Sequence, residues 1–110
     1  MPLVSAKQML LKATRERYAV GAFNVTSIVQ MKAVIEAAVN KRAPLIVQTS
    51  TSPAKFFGPR LIVAACRALA ESAPIPVCLH LDHCTDGGDH SSALADARTR
   101  GRSARPRRAR

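Results

Sequence analysis

No apolar run in this 110-residue chain approaches the length of a bilayer-spanning helix, so a membrane protein is not expected. No C-x-x-C pair occurs among Cys66, Cys78 and Cys84. An odd set with no paired spacing reads as free thiols in a reducing compartment. No long apolar core precedes Lys7 and Lys12, so no signal peptide is expected and the chain is assigned to the cytoplasm. Acidic residues are scarce, with 7 Asp/Glu against 17 Lys/Arg and a formal charge of +10. Such a balance suggests a nucleic-acid or acidic-surface partner, and the position of the charge decides whether that reading holds. Residues 1–86 carry ten Lys/Arg and five Asp/Glu, whereas residues 87–110 carry seven Arg, no Lys and two Asp. Half of the basic excess therefore belongs to a terminal segment and not to a folded patch.

What is present is an alternation of helical and strand-like segments. Ser5-Ala6-Lys7-Gln8 has the form of a capping box, and Met9, Leu10 and Ala13 follow at helical spacing. A short amphipathic helix is predicted from Ala6 to about Arg17. The stretch from Tyr18 to Val25 reads as a strand in which Gly21 permits close backbone approach. Ser27-Ile28-Val29-Gln30 is a second capping box. It opens a helix whose apolar stripe is Met31, Val34, Ile35 and Ala38. Pro44 stops that helix and starts a second strand over 45–50. Gly58-Pro59 places a proline at a first helical position, and a third helix runs from Leu61 to Ala73. Pro74 and Pro76 end it, and Val77 to Asp82 is the third strand. Short links and nearly continuous apolar strands predict parallel strands with crossover helices, the α/β class.

Side chains alternate across a strand, so parity sorts the polar residues. Leu45, Val47 and Thr49 share one face of the second strand; Ile46, Gln48 and Ser50 share the other. Val77, Leu79 and Leu81 oppose Cys78, His80 and Asp82 in the third, and the first strand ends with Ala22 and Asn24 on one face. The aliphatic faces suit a helix layer. The opposite faces gather Asn24, Gln48, Ser50, His80 and Asp82 near the C-terminal strand ends, where parallel α/β folds bind ligands. Each of these residues also has a plain structural reading. Buried Asn, Gln and Ser often only satisfy backbone groups, and His80 taken alone reads as a hydrogen-bonded core residue. Asp82-His83, a carboxylate and an imidazole where a buried strand surfaces, is the most informative pair.

Three segments taken together resemble a known family. Tyr18-Ala-Val-Gly-Ala-Phe-Asn24-Val, Pro44-Leu-Ile-Val-Gln-Thr-Ser50 and Pro76-Val-Cys-Leu-His-Leu-Asp82-His83 are similar in order and spacing to the first three barrel strands of class II, zinc-dependent ketose-bisphosphate aldolases. The resemblance runs from residue 1 to Asp86. It implies three β/α units of a (β/α)8 TIM barrel and reversible aldol cleavage of fructose 1,6-bisphosphate to dihydroxyacetone phosphate and glyceraldehyde 3-phosphate. It implies Asp82 as the catalytic carboxylate that exchanges a proton with the C4 hydroxyl, and His83 as a zinc ligand. Asn24 and Ser50 are implied as substrate and phosphate contacts, and Gln48 and His80 as support for the site. A phosphorylated ketose is the implied substrate, Zn²⁺ the implied cofactor, and a homo-oligomer the state of the intact family. Zinc suits imidazole ligands and stabilises negative charge developing on substrate oxygens. A positioned carboxylate supplies general acid/base catalysis of ~10²–10⁴ in rate.

The family's further histidine ligands, its later glutamate and its Gly/Ser-rich phosphate loops are not found, and a complete barrel needs about 250 residues. Residues 87–110 contain Leu94 as their only large apolar residue. They are expected to form a disordered Arg-rich tail, out of frame after Asp86. On this reading the chain is a truncated, inactive fragment, because one histidine cannot hold a catalytic zinc. An exposed sheet edge is expected to make it prone to aggregation. The alternative is a non-enzymatic protein whose arginines contact nucleic acid or a protein partner. No aromatic residue interleaves those arginines.

Overall fold

The computed structural model describes residues 2–50 and 56–82. The elements alternate as α1 (Ala6–Glu16), β1 (Gly21–Asn24), α2 (Ile28–Lys41), β2 (Leu45–Thr49), α3 (Pro59–Glu71) and β3 (Val77–Leu81). The strands form one parallel sheet in the order β1-β2-β3, the arrangement that the alternation predicts. Differences from the expected ranges fall at element ends. β1 begins at Gly21 and not Tyr18, and α3 begins at Pro59 and ends before Ala73. No helix among the described residues is long and apolar enough to cross a membrane. The segment 87–110, expected to be a disordered tail, lies outside the described residues, as does His83.

The two capping boxes behave differently. At α2 the Ser27 hydroxyl accepts from the Gln30 backbone N–H at 3.1 Å. The Gln30 side chain reaches one residue further back than the motif requires, and its Oε1 accepts from both Thr26 N–H (2.7 Å) and Thr26 Oγ1 (2.8 Å). At α1 the Ser5 side chain makes no cap hydrogen bond. Ser5 therefore occupies an N-cap position without satisfying a helical donor there. Both helices end on an arginine in the left-handed region, Arg17 at φ 59° and Arg42 at φ 52°, a conformation more often given to glycine. Gly58, at φ 85°, turns the chain into Pro59 at the start of α3.

Strand parity divides the core as expected. Leu45, Val47 and Val77 are buried beneath α2 and α3 with Met31, Ile35, Ala38, Ile62, Cys66 and Ala70. On the opposite face Ile46 and Cys78 pack against Met9 of α1, with Val4, Ala6 and Val20 around them. α1 thus closes the N-terminal half of this face and leaves the C-terminal half open. The Val4 N–H donates to Val77 O at 2.9 Å, so the segment before α1 engages the outer edge of β3.

β1 is the exposed strand of the sheet, with all four of its residues exposed. It pairs only with β2, and Gly21 and Ala22 have little side chain to bury. Close approach at Gly21 is made by a side chain and not by backbone: a Cβ there would lie 2.6 Å from the Phe23 ring. Phe23 folds back over Gly21 yet remains 54% exposed.

Candidate functional site

The sheet register builds the site. Asn24 pairs with Gln48, and Gln48 with His80. Three polar residues therefore form one row across the sheet on the face away from α2 and α3. The row before it is Ala22, Ile46 and Cys78, of which Ile46 and Cys78 are covered by Met9. The boundary between covered apolar face and open polar face lies between these two rows, toward the C-terminal strand ends.

One hydrogen bond ties two members of the row together. Gln48 Nε2 donates to Asn24 Oδ1 at 2.9 Å, which orients the Asn24 carboxamide and keeps its Nδ2 hydrogens as free donors among the described residues. Asp82 is the first residue after β3. Its backbone N–H donates to Thr49 O at 2.8 Å, which adds one rung to the β2–β3 ladder and holds the carboxylate at the strand end. His80 Nε2 lies 3.9 Å from Asp82 Oδ1, with side-chain exposures of 51% and 28%. At that distance and exposure an ion pair contributes less than about 1 kcal/mol even with His80 protonated. The two groups are therefore neighbours by strand parity more than by mutual attraction.

Of the residues expected at the site, Asn24 and Asp82 lie at the open end of one face, joined through Gln48 and His80. Ser50 follows β2 and is half-buried, and no hydrogen bond links it to Asn24 or Asp82 among the described residues. His83 lies outside the described residues. Gln48 gains a specific position that parity alone did not give it. The signal was an amide in matched register with Asn24 on the adjoining strand.

A zinc ion needs about four donors. Among the described residues no three of His, Cys, Asp and Glu converge. His80 and Asp82 supply two donors and do not by themselves make a zinc site.

Comparison with known proteins gives one consistent result. The family model described as fructose-bisphosphate aldolase class-II matches residues 4–102. The fructose-bisphosphate aldolase of Giardia intestinalis is 39% identical over 84 residues, 76% of this chain and 26% of that protein. The fructose-bisphosphate aldolase of Stutzerimonas stutzeri is 44% identical over 86 residues, 77% of this chain and 24% of that protein. A D-tagatose-1,6-bisphosphate aldolase subunit, GatY of Klebsiella oxytoca, is 40% identical over 81% of this chain and 31% of its own length. The chain thus spans between 24% and 31% of the length of these relatives. Among solved structures, the YdjI aldolase of Escherichia coli K12 superposes with a TM-score of 0.74 and 25% identity, covering 84% of this chain and 36% of that one.

Proposed function

The chain belongs to the class II fructose-bisphosphate aldolase family, and on that premise we propose that its open polar row is part of a ketose-bisphosphate aldolase site. The reaction is reversible aldol cleavage of fructose 1,6-bisphosphate to dihydroxyacetone phosphate and glyceraldehyde 3-phosphate. Fructose is favoured because the family description and the Giardia and Stutzerimonas relatives carry that sugar in their names.

In this reading Asp82 exchanges a proton with the C4 hydroxyl. Its backbone tether to Thr49 limits how far the carboxylate moves between accepting and returning that proton. Asn24 offers its Nδ2 hydrogens to a substrate or phosphate oxygen, held in orientation by Gln48. Ser50 offers a hydroxyl to phosphate from the end of β2. His83 is the zinc ligand of the proposal, and further ligands must join it because the described donors do not complete a site. Zinc, when bound, supplies electrostatic stabilisation of negative charge on substrate oxygen.

The observation that carries the reading is the register-matched row Asn24–Gln48–His80, with Asp82 beyond it at the C-terminal strand ends. A chimera tests it. Residues 1–82 replace the matching segment of the Helicobacter pylori fructose-bisphosphate aldolase, which is 42% identical over 84 residues. The chimera is expected to cleave fructose 1,6-bisphosphate, and Asp82→Asn to lower kcat by ~10²–10⁴. A folded chimera that is inactive, or an Asp82→Asn form with full activity, would refute the assignment.

A further inference from the structure

The opposite end of the sheet holds a cavity that the aldolase reading does not use. It measures about 830 Å³ and opens between α1 and the segments leading into the three strands. That volume lies within the ~300–1,000 Å³ typical of small-molecule sites. Val4, Met9, Ile75 and Pro76 give it an apolar wall, and Lys12 and Arg42 line it with positive charge. No Asp or Glu lines it. Among the described residues neither Lys12 nor Arg42 is seen in an ion pair with a carboxylate. With Gln8, Lys12 sits on one face of α1 at i,i+4 spacing. Arg42 is held at the mouth of β2 by its left-handed backbone at the end of α2. Prolines at 44, 74 and 76 stiffen the connecting segments, which lowers the ordering cost of binding.

We propose that this cavity binds a small amphiphilic anion. A carboxylate or phosphate head group sits on Lys12 and Arg42, and a hydrocarbon or ring body lies against Val4, Met9, Ile75 and Pro76. The pairing of groups is what selects this class. A sugar phosphate would leave the apolar wall unused, and a neutral hydrocarbon would leave two cations without a counter-charge. Five strand residues at about 3.3 Å each separate the two ends of the sheet by about 16 Å, so this ligand and a substrate on the Asn24–Asp82 row occupy different space.

The test titrates the isotope-labelled full chain with octyl phosphate below its micelle-forming concentration, following backbone amide shifts. Octyl glucoside (same tail, neutral head) and inorganic phosphate (same head, no tail) are titrated in parallel. Saturable shifts at Val4, Met9, Ala19 and Ile75 with octyl phosphate are expected, with at least tenfold weaker binding of either control. Lys12→Gln combined with Arg42→Asn is expected to weaken octyl phosphate at least tenfold. Asparagine is chosen because it tolerates the left-handed backbone. Lys7→Gln, on α1 but outside the cavity, is expected to leave binding unchanged. The proposal is overturned if octyl phosphate gives no saturable shift at those residues or octyl glucoside binds equally well. It is also overturned if Lys7→Gln weakens binding as much as the cavity variant, which would indicate diffuse attraction to a basic chain. None of these readouts depends on aldolase activity.

Discussion

Gln48 donates its side-chain amide to the Asn24 carboxamide oxygen at 2.9 Å, across two strands whose register places the residues side by side. The bond converts a flexible exposed amide into an oriented donor. Gln48→Ala is expected to lower stability by only about 0.5–1.5 kcal/mol, while the Asn24 Nδ2 resonances lose their distinct shifts. Unchanged Asn24 side-chain resonances in the variant would show that the bond does not hold in solution.

The two N-terminal serines of the helices provide an internal comparison. Ser27 accepts a hydrogen bond from Gln30 N–H, whereas Ser5 makes no cap bond. Ser27→Ala is expected to cost about 1 kcal/mol in urea unfolding, with Ser5→Ala costing clearly less. Equal losses would contradict the observed difference in capping.

Arg17 closes α1 in the left-handed region at φ 59°. That conformation strains a non-glycine residue by about 1–2 kcal/mol. Glycine relieves the strain but adds about 0.4–1 kcal/mol of unfolded-state entropy. Arg17→Gly is therefore expected to stabilise the chain by about 0.5–1 kcal/mol net. A loss of stability would mean that the arginine side chain contributes more than its backbone strain costs.

Cys66, on the inner face of α3, is fully buried in the core. Burial, with a smaller contribution from Cys78, pushes its thiol up to about 12 from the ordinary 9.0. The folded chain then holds the Cys66 proton more tightly than the unfolded chain does. Below pH 9 both forms are protonated and the thiol leaves stability independent of pH; between about 9 and 12 the unfolded form ionises first and stability falls as pH rises. Two measurements follow: Cys66 should resist iodoacetamide at pH 8.5 until denaturant is added, and Cys66→Ala should flatten the alkaline fall in unfolding free energy.

Burial separates two apolar residues of α2. Ile35 is 4% exposed and Val29 is 79% exposed. Ile35→Ala is expected to cost about 2–5 kcal/mol, and Val29→Ala to stay within about 0.5 kcal/mol. Similar melting temperatures for the two variants would overturn the assignment of the buried stripe.

Much of this arrangement was legible in the sequence because period-2 alternation is strict. Leu45, Val47 and Val77 fell under the helices, and Ile46 and Cys78 fell on the other face, as parity requires. The Asn24–Gln48–His80 row follows from the same rule once the register is fixed. Register is a tertiary property, and parity left the bond between Asn24 and Gln48 unassigned. The exposure of β1 was not legible for a related reason. Gly21 and Ala22 offer little side chain to bury, burial also depends on what covers a strand, and Phe23 has too little above it. The Ser5 motif matched a capping box in letters while the serine rotamer went unused. Local motifs specify an available hydrogen bond, and the surrounding packing decides whether it forms.

The hydrogen bond from Val4 to Val77 gives the fold an order of assembly. Met9 of α1 rests on Ile46 and Cys78, so the first helix made has no complete docking surface until the last described strand has emerged. During synthesis α1 must wait, held by little more than its own short-range helicity, while β1, α2 and β2 come together through nearer contacts. Closing the longest loop in the described chain is therefore expected to come last, and substitutions at Val4 or Met9 should chiefly speed unfolding and leave the folding rate little changed.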